Sequence, residues 1–231
     1  MRLFRTGDGS LSARHPRHGE GYHPREGART QAERLYLEAS GVAALARPRV
    51  LEVGFGLGLN FAVTLARVRE RGGWLDYRAV EAEPAPWEAV AAVVGEIVPD
   101  LPGLLEPHWG RSAVVAGEGF RLELALGRAE RWSLPAEWAD AVYFDPFSPR
   151  ANPEVWTPGV FARMHRALKP GGVLVTYSVA GRVRRELEQA GFEVERLPAW
   201  GRKRHWLRAQ KPAWRRVPGQ IRVRHPANKN S

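Results

Sequence analysis

The chain has 231 residues, 44% of them hydrophobic, no cysteine, and a formal net charge of +10 at pH 7. That length suits one well-cored domain with small appendages, and no apolar run approaches the roughly 18 residues of a membrane-spanning helix. Disulfides, thiolate catalysis and cysteine zinc sites are excluded; the last thirty residues hold ten Lys or Arg and no acid, while the rest of the chain balances 25 basic against 25 acidic groups, so the excess charge points to a polyanionic partner at the C-terminal end.

The N-terminus lacks the apolar core of a signal peptide, which implies a cytoplasmic protein. "LFRTGDGSLSAR" reads as a hairpin turning at "GDG". "RVLEVG" is a short buried strand, followed by helical spacing from Leu57 to about Arg71. "WLDYRAVE" is a strand and "PAPWEAVAAVVGEIV" a helix opened by proline. "FRLELALG" and "WADAVYFD" are further strands; "NPEVWTPGVFARMHRALK" is helical in its second half and stops at "PGG". "VLVTYS" is a strand, "GRVRRELEQAG" a helix, and "FEVERL" and "RHWLRA" the last strands. This alternation predicts an α/β fold with a mostly parallel sheet and helices on both faces. Residues 1–40 form an N-terminal extension, 41–209 the main domain and 210–231 a basic tail.

"LEVGFGLGLN" joins a strand to a helix, where doubly wound folds bind nucleotides. The dinucleotide pattern GxGxxG fails at Leu59, and no lysine follows for a phosphate loop. What stands is ExGxGxG: Glu52, Gly54, Gly56 and Gly58, the shape of a class I S-adenosylmethionine loop, in which glycines let the backbone approach a cofactor without phosphates. Glu81, at the end of the next strand, is placed to hold ribose hydroxyls. Asp145 ends the fourth strand, at the carboxyl edge where open α/β sheets place ligands. Transfer of a methyl group to nitrogen needs aligned reactants and an unprotonated amine, so Asp145 is the candidate catalytic carboxylate. Phe147 and Trp156 are candidates to stack on a base, and Asp145-Pro-Phe is one proline short of the [DN]PP[YF] element of amino-methyltransferases.

The run from Asp145 through Phe147, Pro149, Asn152, Pro153 and Trp156, the loop from Gly54 to Phe61, and the ending "AWGRKR" resemble the methyltransferase domain of the MnmC family, as does "GEGYHPREGARTQ" near the N-terminus. The resemblance spans about residues 3–209. It implies a Rossmann-like class I S-adenosyl-L-methionine-dependent methyltransferase with a small N-terminal β-hairpin extension and a basic C-terminal tail. By resemblance the reaction converts the 5-aminomethyl group of the tRNA wobble uridine, with or without a 2-thio group, to 5-methylaminomethyl. Cofactor contacts would come from Glu52, Gly54, Phe55, Gly56, Gly58, Asn60 and Glu81. Phe147, Trp156, Arg202, Lys203, Arg204 and Trp214 would bind the tRNA anticodon region. The family's FAD-dependent oxidase part has no counterpart in this sequence, so no FAD is expected. Two positions depart from the pattern: Arg128 replaces the acid that would meet adenine, leaving that role to Glu130 or backbone groups, and Gln31 replaces a glutamate.

His15 and His18 have a three-residue offset but no acid at ligand spacing, so no metal is expected. Two other readings compete: a small-molecule methyltransferase or aminopropyl transferase on the same sheet, and a non-catalytic RNA-binding protein. The cationic tail disfavours polyamine substrates, and consumption of labelled S-adenosylmethionine with undermodified tRNA separates the third reading.

Overall fold

The computed structural model describes residues 1–198 and 205–213. A two-stranded hairpin, β1 (Leu3–Arg5) and β2 (Leu11–Ala13), opens the chain, with Leu3 opposite Ala13. The main sheet has eight strands: β3 (Arg49–Val53), β4 (Leu75–Glu81), β5 (Ala113–Gly117), β6 (Phe120–Leu126), β7 (Ala139–Phe144), β8 (Leu168–Thr176), β9 (Glu193–Pro198) and β10 (His205–Gln210). Their order is β5-β6-β4-β3-β7-β8-β10-β9. Pairings from β6 through β8 are parallel, and β5, β10 and β9 run antiparallel to their neighbours.

Helices α1 (Ala28–Gln31), α2 (Leu59–Glu70), α3 (Trp87–Ile97), α4 (Leu101–Leu105), α5 (Pro158–Ala167) and α6 (Gly181–Gln189) complete the fold. The strand period of two sorts the core into two layers. Val50, Ala141, Tyr143, Val173 and Val175 pack with the α1, α2 and α3 side. Leu51, Val53, Val142, Phe144 and Leu174 pack with α5 and α6. β3 and β7 lie side by side at the centre, and the chain leaves them in opposite directions across the sheet. Their carboxyl ends therefore form the crevice where such sheets bind ligands.

Three features differ from the sequence expectation. The edge strand β5 was not anticipated; it pairs Ala113 with Leu124 and leaves Val114 exposed. The "PGG" turn lies inside β8, because α5 already ends where Leu168 becomes extended (ψ 141°), and Gly171 N donates to Lys211 O while Lys211 N donates to Gly172 O across the sheet end. Residues 28–44, for which no element was foreseen, continue α1 into a π-helical stretch, Ala32–Glu38. Leu35 and Tyr36 of that stretch are fully buried in the main core. Among the described residues no helix is long and apolar enough to cross a membrane.

Candidate active site

The loop after β3 and the loop after β7 are locked together by backbone. Gly54 (φ 88°) donates to Val80 O at 3.0 Å, and Asp145 N donates to Val53 O at 3.0 Å. A Cβ on Gly54 would lie 2.8 Å from the carbonyl oxygen of Asp145, so only glycine allows this approach. Gly56 (φ 54°) and Gly58 (φ 75°) keep the loop left-handed up to the first residue of α2, and Gly58 N closes a turn on Phe55 O at 2.8 Å.

Glu81, at the end of β4, accepts from Gly56 N at 2.9 Å and from Glu83 N at 2.8 Å. Burial raises the pKa of its carboxyl, although those backbone donors act in the opposite direction. Asp145 accepts from the Tyr36 hydroxyl at 2.5 Å and from Asn60 Nδ2 at 2.9 Å. The same Asn60 nitrogen donates to Glu52 Oε1 at 2.9 Å.

Several of these groups open onto one cavity of about 570 Å³. Gly54, Phe55, Gly56, Asn60, Glu81, Asp145 and Phe147 all line it, as do Arg128 and Glu130. Among the described residues, seven acids line this cavity (Glu20, Glu26, Glu81, Glu83, Glu130, Asp145 and Glu154) against one arginine, Arg128. In a chain whose net charge is +10, this concentration of carboxylates suits cationic ligands. A loop with glycine at every second position, a half-buried acid at the next strand end and an anionic wall together fit S-adenosyl-L-methionine, whose sulfonium and ammonium are both positive.

Three predicted contacts are corrected. Glu52 does not reach the cavity: it is fully buried at an inward position of β3, on the same face as Val50, and touches the site through Asn60. Trp156 is 1% exposed and cannot stack on a base. Its ring packs edge-on against Phe144 at 5.0 Å and its Nε1 donates to Phe147 O at 2.8 Å, so it holds the loop from within. The local sequence carries the signal for this: Thr157 caps α5, Pro158 is its first residue, and Trp156 and Phe161 occupy the hydrophobic-staple positions. Gly58, the N-cap of α2, is likewise a predicted contact that lies outside the cavity wall. Arg202, Lys203, Arg204 and Trp214 lie outside the described residues.

The N-terminal segment supplies site residues that the sequence reading gave no role. His18 stacks on Phe147 (4.5 Å, 29°), and Tyr22 meets the same ring edge-on at 5.2 Å while covering Gly56. Glu20 accepts from Ser148 N at 3.1 Å and from Ser148 Oγ at 2.5 Å. Nothing in the local pattern marks Tyr36, since an aromatic on an apolar helix face reads as core. The segment is also tied to the hairpin: burial lowers His23 to about 4, and its Nδ1 lies 3.0 Å from Ser12 Oγ.

His15, His18 and Glu83 bring one potential ligand atom each within 4.8 Å of one another, so the acid that the sequence spacing lacked arrives from the chain just after β4. His15 Nδ1 accepts from the backbone N–H groups of Arg17 (3.3 Å) and His18 (3.2 Å). Its proton then sits on Nε2, 3.5 Å from Glu83 Oε2, the oxygen that also pairs with Arg17. An imidazole proton and a guanidinium thus occupy the positions a cation would take.

Residues 100–212 match the model of a family described as S-adenosyl-L-methionine-dependent methyltransferase. The tRNA 5-methylaminomethyl-2-thiouridine biosynthesis bifunctional protein MnmC of Ralstonia nicotianae is 38% identical over 223 residues, which cover 85% of this chain and 34% of that protein. Its namesake from Cupriavidus necator is 36% identical over 234 residues, covering 91% and 36%. The chain thus spans about a third of the length of these curated relatives. Among solved structures, MNMC2 from Aquifex aeolicus superimposes with a TM-score of 0.75 at 28% identity, over 95% of this chain and 72% of that one. A putative S-adenosyl-L-methionine-dependent methyltransferase from Methanococcus maripaludis, 13% identical over 82% of this chain and 87% of its own, shares the fold with a TM-score of 0.52.

Proposed function

We propose that this chain, similar to S-adenosyl-L-methionine-dependent methyltransferases over most of its length, methylates the primary amine of 5-aminomethyluridine or its 2-thio form at the wobble position of tRNA. The observation that carries this reading is the position of Asp145 in an acid-lined cavity, opposite the glycine loop, in a chain similar to MnmC. An alkylamine enters such a cavity as its ammonium, which has no lone pair. Asp145 accepts one proton from it, so that the N–H bonding pair becomes the nucleophilic lone pair; a positioned base of this kind contributes about 100-fold or more. Bound S-adenosyl-L-methionine supplies an electrophilic methyl group, and the electron pair of the broken C–S bond stays on sulfur. Gly54, Gly56, Phe55, Asn60 and Glu81 are the residues that would hold it. Glu81 presents a carboxylate to hydroxyl donors while fixing the loop through Gly56 N.

Phe147, backed by Trp156 and flanked by His18 and Tyr22, offers an aromatic wall to a uracil ring, with stacking worth about 1–3 kcal/mol per base. Arg202, Lys203, Arg204 and Trp214 are proposed to grip the anticodon region, and a tRNA substrate places the reaction in the cytoplasm. The test is incubation of the protein with labelled S-adenosyl-L-methionine and tRNA from a strain lacking this gene, followed by nucleoside mass spectrometry. The expected product is the 5-methylaminomethyl nucleoside at the wobble position. Label that enters no wobble nucleoside would overturn the substrate assignment.

A further inference from the structure

Behind Asp145 stands a buried hydrogen-bonded chain that the mechanism above does not require. Its first member is Tyr36, 0% exposed, whose hydroxyl donates to Asp145 Oδ1 across 109 residues of sequence. Tyr36 sits in the π-helical stretch Ala32–Glu38, where Ala39 N bonds to Arg34 O at 3.1 Å, five residues back. Such stretches are rare and concentrate at functional sites. Ser40 Oγ donates to Tyr36 O at 2.5 Å, and the Tyr36 ring lies 5.4 Å from that of Tyr143, so the phenol has little freedom to turn. On the other oxygen, Asn60 uses one amide nitrogen to join Asp145 Oδ2 and Glu52 Oε1, both at 2.9 Å.

The geometry points to Tyr36 as a positioning residue for Asp145, acting with Asn60 and Glu52 to fix the plane of the carboxylate that takes the substrate proton. This rests on the reading of Asp145 as that proton acceptor. A carboxylate offers about four acceptor positions, and the Tyr36 and Asn60 donors hold one oxygen each. The protonation of the partners is consistent with one negative charge on the chain. Burial, and then the charge of Asp145, keep the Tyr36 hydroxyl protonated. Burial likewise drives the Glu52 carboxyl far above the ordinary range, outweighing the hydrogen bond from Asn60, and Asp145 adds to the rise. Glu52 is then a neutral acid whose Oε1 accepts from Asn60.

A double-mutant cycle separates this role from a structural one and from the role of Asp145 itself. Methyl transfer to undermodified tRNA is followed for the full-length protein, Tyr36→Phe, Asp145→Asn and the double variant. Tyr36→Phe keeps the ring, and its expected effect is a fall in kcat of about 10- to 100-fold with KM for both substrates little changed, as for loss of a hydrogen bond to a charged group. Asp145→Asn should cost about 100-fold or more, and the double variant no more than Asp145→Asn alone. Factors that multiply instead would overturn the positioning role. A Asp145→Asn protein with normal turnover would overturn the base assignment instead.

A second readout needs no turnover. In carbon NMR of the ligand-free protein, the Asp145 carboxyl should titrate about one pH unit higher in Tyr36→Phe, and an unchanged midpoint would overturn the proposal. Of the titratable groups around it, Tyr36, Glu52, Tyr77 and Tyr177 interact electrostatically with Asp145, and Glu20 with Tyr177. Glu52→Leu removes the acceptor for Asn60 and should lower kcat about tenfold, and an unchanged kcat would exclude Glu52 from the positioning chain.

Discussion

Gly54→Ala, compared with Gly9→Ala, isolates the steric demand of the loop from its backbone conformation. The two glycines have nearly the same dihedral, φ 88° and 83°, and placing an L-residue in the left-handed region costs about 1–2 kcal/mol at either. Their surroundings differ. A Cβ at position 9 meets nothing within 4 Å, whereas at position 54 it meets the Asp145 oxygen at 2.8 Å and the Asp145 carbonyl carbon and Pro146 Cα at 3.1 Å. These are backbone atoms of the strand end and cannot swing aside, so overpacking adds about 1–3 kcal/mol. Urea denaturation should therefore give a loss of about 1–2 kcal/mol for Gly9→Ala and about 2–5 kcal/mol for Gly54→Ala. Relief from 2.8 Å to an ordinary 3.4 Å contact moves Asp145 by roughly half an ångström. By the sensitivity of positioned groups, turnover should fall about tenfold in Gly54→Ala and stay unchanged in Gly9→Ala. Equal destabilisation of the two variants, within about 0.5 kcal/mol, would refute the claim that contact with the β7 end is what requires glycine there.

Glu81→Ala removes the acceptor for Gly56 N and Glu83 N, and calorimetry should show S-adenosyl-L-methionine binding weakened about 10- to 100-fold; a dissociation constant within threefold of the parent would discard the ribose assignment. His23 is lowered from 6.5 to about 4 by burial, with Asp8 opposing, so the folded protein binds fewer protons than the unfolded chain between those values. Stability is then full above about pH 6.5 and should fall by about 2–3 kcal/mol towards pH 4, a loss that His23→Gln would remove from the melting profile. Truncation after Ala213 spares Lys211, which pairs with Gly171 and Gly172, and should weaken tRNA binding while flattening its salt dependence by about 0.7–0.9 per lost phosphate contact. An unchanged slope would show that the segment after Ala213 is not the grip.

Local pattern was enough for everything governed by nearest neighbours along the chain. The alternation in "RVLEVG" and "WADAVYF", the glycines after β3 and the acids ending β4 and β7 placed Gly54, Glu81 and Asp145 on one sheet edge before any coordinates. That inference works because parallel strands with right-handed crossovers bring all their carboxyl ends to the same side. β5 escaped because "AVVAG" is too short to outweigh its glycine, and its pairing with β6 is what makes it a strand. Trp156 was misread because an aromatic in a proline-rich loop after a strand suits a base or a core equally; the staple with Phe161 and the bond to Phe147 O decide between them.

The parallel centre of the sheet, the glycine loop after β3 and the place of Asp145 at the carboxyl edge are legible in the sequence, since each is written in a period or a turn a few residues long. What surrounds Asp145 depends on packing between distant segments. Tyr36 reaches Asp145 from 109 residues away, Glu52 reaches it through Asn60, and Glu20 and His18 close the far wall on Ser148 and Ala151. No local spacing encodes such contacts, because they follow from how the N-terminal segment packs against the loops that follow β3 and β7. Whether Glu52 faces a ligand or the core was likewise settled by packing: an inward position on a strand covered on both faces leaves a carboxyl no route to water, and burial turns it from a cofactor contact into a buried acid behind the site.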